Sequence, residues 1–195
     1  MTLNKGLSGS LSVSYTYVGK IDATKFKWAS SKPSVATVKN GVVKAVKPGT
    51  TKITVSMDGK QASCNVTVKY IKPTFVSTTQ CYTSLNNYRK KAKVPTLKRD
   101  PSLESIAKIR AKELVKKFDH VRPNGTRGLS LITKKGIWCK GENIAKGQTT
   151  CIKVSEAWYN SKGHRANMLR KQFKKVGIAG YKYNGVMYWV QLFSS

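Results

Sequence analysis

His120 and His164 are the two histidines of the chain, and Asp119, Glu142 and Glu156, three of its eight acidic residues, fall in the same stretch. An imidazole beside a carboxylate can move protons, hold a metal or capture an anion near neutral pH. His164 follows Trp158-Tyr159-Asn160-Ser161-Lys162-Gly163. Thr149 or Thr150 is placed to cap a helix whose apolar stripe is Ile152, Ala157 and Trp158. Gly163 is expected to close that helix in the left-handed region, which sets His164 on the bend beyond it. The plain alternative is a helix-terminal histidine donating to a carbonyl.

The elements around it follow from periodicity. Residues 78–93 form an amphipathic helix through Cys81, Leu85 and Tyr88. Asp100-Pro101 starts a second helix, a cap followed by proline in the first turn. Leu103, Ile106, Ala107, Leu114 and Val115 face one way on it, and it runs to about Lys117. His120 then lies just past its end, close to the turn signal Arg122-Pro123-Asn124-Gly125. Both histidines are thus expected at helix exits. Residues 125–135 hold a short helix, and residues 136–147 carry Glu142 on an extended or looped piece. Residues 176–183 and 186–193 flank Asn184-Gly185 and form a hairpin. Both faces of its second strand are apolar, so helices should cover the sheet on both sides.

Residues 2–69 read differently. Alternation at 11–18, 35–38, 42–46, 51–55 and 62–68 predicts strands, separated by Lys32-Pro33, Asn40-Gly41, Pro48-Gly49 and Asp58-Gly59. Short strands at this spacing predict an all-β sandwich with no catalytic set, a spacer or adhesive module. The expected layout is residues 1–70 as that sandwich, 71–77 as a linker and 78–195 as an α+β domain.

The charge is lopsided: 37 lysines and arginines against eight acids give a formal net charge of +29. Both parts are basic, with eleven cations against two acids up to Lys69 and 26 against six beyond. Such a chain attracts polyanions. Lysines outnumber arginines 30 to 7. Base-edge readout prefers arginine, so no specific nucleic-acid role is expected. No apolar run is long enough for a transmembrane helix. The first twenty residues lack the apolar core of a signal peptide, so a removed leader or a longer parent chain is expected. Cys64, Cys81, Cys139 and Cys151 contain no C-x-x-C pair; an even count suits disulfides, with three connectivities open. A Cys139–Cys151 bridge would fasten the loop carrying Glu142, and Cys64–Cys81 would tie the two parts together.

Four segments occur in order: Phe118-Asp119-His120; Gly141-Glu142-Asn143-Ile144-Ala145; Ala157-Trp158 with Gly163-His164-Arg165-Ala166-Asn167-Met168-Leu169; and Tyr188-Trp189-Val190-Gln191-Leu192-Phe193. Together they resemble the bacterial, SCP-like branch of the CAP superfamily over residues 78–195. The run from Trp28 to Thr50 is similar to group 2 bacterial immunoglobulin-like domains. The first resemblance implies an α-β-α sandwich around a central antiparallel sheet, the second an Ig-like sandwich. It also implies a groove lined by His120, Glu142 and His164. The family's second glutamate falls on Ser161, so the tetrad is incomplete, and Glu156 should point elsewhere. Asn143 and Gln191 are expected to support the groove through hydrogen bonds to backbone.

Two neutral imidazoles and a carboxylate could hold a divalent metal such as zinc, with His120 and His164 as ligands, and activate water. Without metal the same trio could bind a headgroup or phosphate. Ser161 is a faint nucleophile near His164, and no order of Ser, His and Asp supports a conventional hydrolase. The leading expectation is an extracellular or cell-wall-associated protein that binds an anionic wall polymer, lipid headgroup or glycan. A metal-dependent hydrolase and a purely structural or adhesive module are the alternatives, and the oligomeric state is open.

Overall fold

A computed structural model describes residues 1–14, 22–133 and 137–195, in two compact units, Met1–Lys72 and Pro73–Ser195. Among its described residues the first holds seven strands: β1 (Thr2–Asn4), β2 (Ser8–Ser10), β3 (Lys27–Ser30), β4 (Ala36–Lys39), β5 (Val42–Ala45), β6 (Gly49–Met57) and β7 (Lys60–Lys69). They form two open sheets, β1-β7-β6-β3 and β2-β5-β4. Ala36, Val43 and Ala45 from one sheet pack with Ile53, Val66 and Val68 from the other, and Trp28 lies against that core. This arrangement is compatible with an Ig-like module. Residues 11–14 are not in a strand, and the rest of the strand expected at 11–18 lies outside the described residues.

The second unit runs β8 (Thr74–Val76), α1 (Thr79–Lys91), β9 (Lys98–Arg99), α2 (Pro101–Lys116), β10 (Lys140–Lys146), α3 (Cys151–Asn160), α4 (Lys162–Leu169), β11 (Lys175–Tyr183) and β12 (Val186–Ser194). Thr74–Val76, expected in the linker, is therefore a strand, paired with β11. The sheet order is β10-β12-β11-β8; these pairings are antiparallel, and short β9 joins β11 in parallel. Asn184 and Gly185, at φ 47° and 82°, make the left-handed two-residue turn that matches strand twist. The 3-10 turn at Gly128–Leu131 realises the short helix expected there; residues 134–136 lie outside the described ones.

β12 shows why three layers form. Met187, Trp189 and Phe193 share a core with Leu85 of α1, Val154 and Trp158 of α3, and Met168 of α4. Tyr188, Val190 and Leu192 share the other core with Leu103, Ala107, Ala111 and Leu114 of α2. Both faces are apolar, and both are covered. α2 can lie close because Gly177 has no side chain: a Cβ there would meet the Leu103 carbonyl carbon at 2.2 Å.

Two expectations are corrected. Cys81 bonds to Cys151, with Cα atoms 4.7 Å apart, while Cys64 and Cys139 are free. Cys139 cannot reach Cys151 because the seven residues of β10 lie extended between them, roughly 20 Å of strand. The bridge instead pins α1 to the first turn of α3. Nor does Gly163 stop a helix. Ser161, at φ −90° and ψ 122°, breaks the chain by itself between α3 and α4. Gly163 sits inside α4 outside the left-handed region. His164 thus occupies the first turn of a helix rather than an exit; His120 does follow the end of α2, as expected.

Candidate functional site

β10 is the edge strand on one side of the sheet, and its alternation divides the site between the sheet's faces. Glu142 is paired with Leu192 and Asn143 with Gln191. Leu192 belongs to the core beneath α2, so Glu142 points to the α2 side. Asn143, one residue on, faces α4, where its Nδ2 donates to the His164 carbonyl at 3.1 Å and to Gln191 Oε1 at 3.2 Å. Asn143 thus bonds a backbone carbonyl of α4, while Gln191 meets the Asn143 side chain rather than backbone.

Both carboxylate oxygens of Glu142 are engaged. Oε1 accepts from Arg110 Nε at 2.7 Å, and Oε2 lies 2.7 Å from His120 Nδ1. The Arg110 side chain is 0% exposed and that of Glu142 3%, whereas that of His120 is 58% exposed. Arg110 also donates to Glu113 Oε2 at 2.9 Å and to the Asp119 carbonyl at 2.9 Å. Arg122 forks onto Glu113 from the turn beyond His120. A ladder of alternating charge, Glu142–Arg110–Glu113–Arg122, therefore fixes the segment that bears His120. Gly128 seals it: its N–H donates to the His120 carbonyl at 2.8 Å, and a Cβ there would meet Glu142 Oε1 at 2.5 Å.

His164 has a different partner, Ser161 Oγ at 2.8 Å from Nδ1. Each ring thus uses Nδ1 for orientation and has its Nε2 without a hydrogen bond among the described residues. The two imidazoles are tuned apart. The hydrogen bond to Glu142 raises the pKa of His120, against burial and the Arg110 charge. Burial lowers the pKa of His164, and the charge on His120 lowers it further. His164 senses the charge on His120 although the two rings approach β10 from opposite faces. Glu156 is exposed and apart, as expected.

Arg110, Asn167 and Trp158 act here without having been singled out for it in the sequence. Asn167 Nδ2 donates to the Glu142 carbonyl at 3.3 Å and to Asn143 Oδ1 at 2.9 Å. Trp158 Nε1 donates to the Ile144 carbonyl at 3.2 Å. These side chains satisfy outward carbonyls of an edge strand that would otherwise be open to pairing. A cleft of about 380 Å³ runs along that edge, lined by His120, Arg127, Gly128, Lys140, Glu142 and Asn167 among others.

The expected metal trio does not fit this geometry. Glu142 has committed both oxygens, one to a buried guanidinium that would repel a cation, and it orients His120 from behind. Among the described residues no three His, Cys, Asp or Glu side chains are grouped to hold a metal ion. A Ser-His-acid triad is not assembled either, since the hydroxyl and the carboxylate serve different imidazoles.

Residues 82–193 match CAP, the cysteine-rich secretory protein family, and the chain belongs to that family. Residues 15–68 match the N-terminal β-sheet domain of hyaluronate lyase. The chain is 38% identical over 112 residues to the uncharacterized protein YkwD of Bacillus subtilis (strain 168), covering 55% of this chain and 43% of that one. It therefore spans less than half of that relative's length. An extracellular SCP-domain protein of Bacillus anthracis matches at TM-score 0.52 and 29% identity, over 59% of this chain and 39% of that one. An outer surface protein of Borrelia burgdorferi shares the fold at TM-score 0.57 and 24% identity, over 64% of this chain and 98% of that one.

Proposed function

We propose that this is an extracellular or wall-associated protein whose CAP domain binds an anionic group, from a wall polymer, lipid headgroup or glycan, in the cleft beside His120. One observation carries the reading: the cleft is lined by His120, Arg127 and Lys140, whose Nζ also donates to the Ile132 carbonyl, and its one carboxylate is neutralised by Arg110 and His120. An anion entering there meets cationic donors and no free acid. Extracellular placement is supported by the Bacillus anthracis and Borrelia burgdorferi proteins, described as extracellular and outer-surface. No helix among the described residues is long and apolar enough to cross a membrane.

The test is retention on purified cell walls and on anionic vesicles across a salt series, for the parent and for His120→Ala. The parent should bind both at low salt and release as screening rises. The variant should bind several-fold more weakly to whichever surface carries the ligand. Retention indifferent to salt and to the substitution contradicts the reading. The hydrolytic alternative keeps one point in its favour, the two free Nε2 atoms. Tight calorimetric zinc binding, lost in a His120→Ala, His164→Ala double variant, would restore it.

A further inference from the structure

The outward face of α2 carries a row of lysines beside exposed Ser105 and Ile109. Lys108, Lys112 and Lys116 follow at intervals of four residues and are all exposed. Four residues of helix advance about 6 Å, so their ammonium groups form a line with that repeat. The acids of α2 do not answer them: Glu104 is forked by Arg99, and Glu113 is held by Arg110 and Arg122. Nor are the stems loose. Lys112 Nζ lies 5.5 Å and Lys108 Nζ 6.0 Å from the centroid of the Phe75 ring on β8. Cation–π contact orients both ammonium groups while leaving them wet. Phe75, Tyr181, Tyr188 and Lys146 are register partners across four strands, and Lys146 Nζ lies 5.6 Å from the Tyr188 centroid. Past Lys116 the helix ends and the chain turns to His120.

We propose that the Lys108–Lys112–Lys116 face of α2 is a docking track for a linear phosphodiester polyanion, leading toward the His120 cleft. This rests on the anion-binding reading of that cleft and names the polymer that reaches it. A helix with one positive charge per turn complements a chain charged at every short repeat, better than a glycan charged once in two sugars. Lysine suits phosphate as a point charge that imposes no planar geometry.

The experiment compares two variants that remove equal charge from opposite layers of the sandwich. One carries Lys108→Gln, Lys112→Gln and Lys116→Gln; the other carries Lys90→Gln, Lys91→Gln and Lys171→Gln, also exposed. Both are titrated with a synthetic glycerol phosphate oligomer across a salt series, after circular dichroism confirms the parental fold. The track variant should bind at least tenfold more weakly, and its slope of log K against log salt should fall by roughly two to three. The control variant should change less than threefold. Equal losses would mean that attraction is diffuse and would overturn the track. A parent that ignores the oligomer but binds a hexauronate or anionic vesicles would overturn it too, while leaving the cleft reading intact. A parent that binds none of the three removes the cleft reading itself.

Discussion

Arg110 is the residue that makes this site what it is. It sits where the apolar stripe of α2 passes under the sheet, level with Ala107, Ala111 and Leu114, and it joins two carboxylates. Stripe reading counts apolar residues and passes over an arginine between them, which is why it was not legible in the sequence. The available signal was an arginine on the buried face of a helix in a chain with few acids to meet it. Removing one partner of a buried pair leaves the other uncompensated, so Arg110→Met should cost roughly 3–5 kcal/mol in denaturant unfolding. A loss below about 1 kcal/mol would mean that Glu142 finds other partners. By contrast, recognisable segments point to His120, Glu142 and His164 as one groove; the fold joins His120 to Glu142 and gives His164 to Ser161. The role of Gly163 was misread for a local reason: glycine usually ends helices, and here one extended serine suffices.

At the scale of elements, alternation and turn chemistry made the hairpin and the three-layer core readable. β12 is apolar at both parities, and only a sheet covered twice can bury that. The disulfide was not readable, since four cysteines leave connectivity open and the length of β10 decides it. The Cys81–Cys151 bridge closes a separation of 70 residues. Its loss should lower stability by about 2–4 kcal/mol in a Cys81→Ser, Cys151→Ser variant. Peptide mapping of the unreduced protein should show that bridge and two free thiols. A Cys139–Cys151 peptide would contradict the placement of β10.

Across the whole molecule, the acids are turned to internal use. In the second unit Asp100, Glu104, Glu113, Asp119 and Glu142 each face a basic partner. Most of the lysines therefore stand against one another, and their repulsion opposes the folded state at low ionic strength. Raising salt from about 10 mM to physiological strength shortens the screening length from about 30 Å to 8 Å. The melting temperature should rise by roughly 2–4 °C, the shift of about 1 kcal/mol in a chain of this size. A fall would show that surface ion pairs outweigh the repulsion. The same salt should weaken binding to anionic surfaces, so stability and affinity are expected to move in opposite directions. Composition predicts an attraction to polyanions without placing it, because lysines are spread along the entire chain.

The two imidazoles offer the sharpest reading of the site, since the protein has no others. A raised pKa means His120 favours folding below its unfolded value near 6.5, and that contribution fades as pH climbs through the folded value. For His164 the sign reverses: its lowered pKa penalises folding in acid, and the penalty lifts as pH rises toward 6.5. Anion binding that relies on charged His120 should therefore weaken on the alkaline side of 6.5. Proton NMR titration of both rings, with and without a bound anionic oligomer, is the direct measurement. His120 should titrate above 6.5 and His164 below it, with His120 moving further upward when the anion binds. Two rings that titrate together at the ordinary value, unmoved by the anion, would contradict the account.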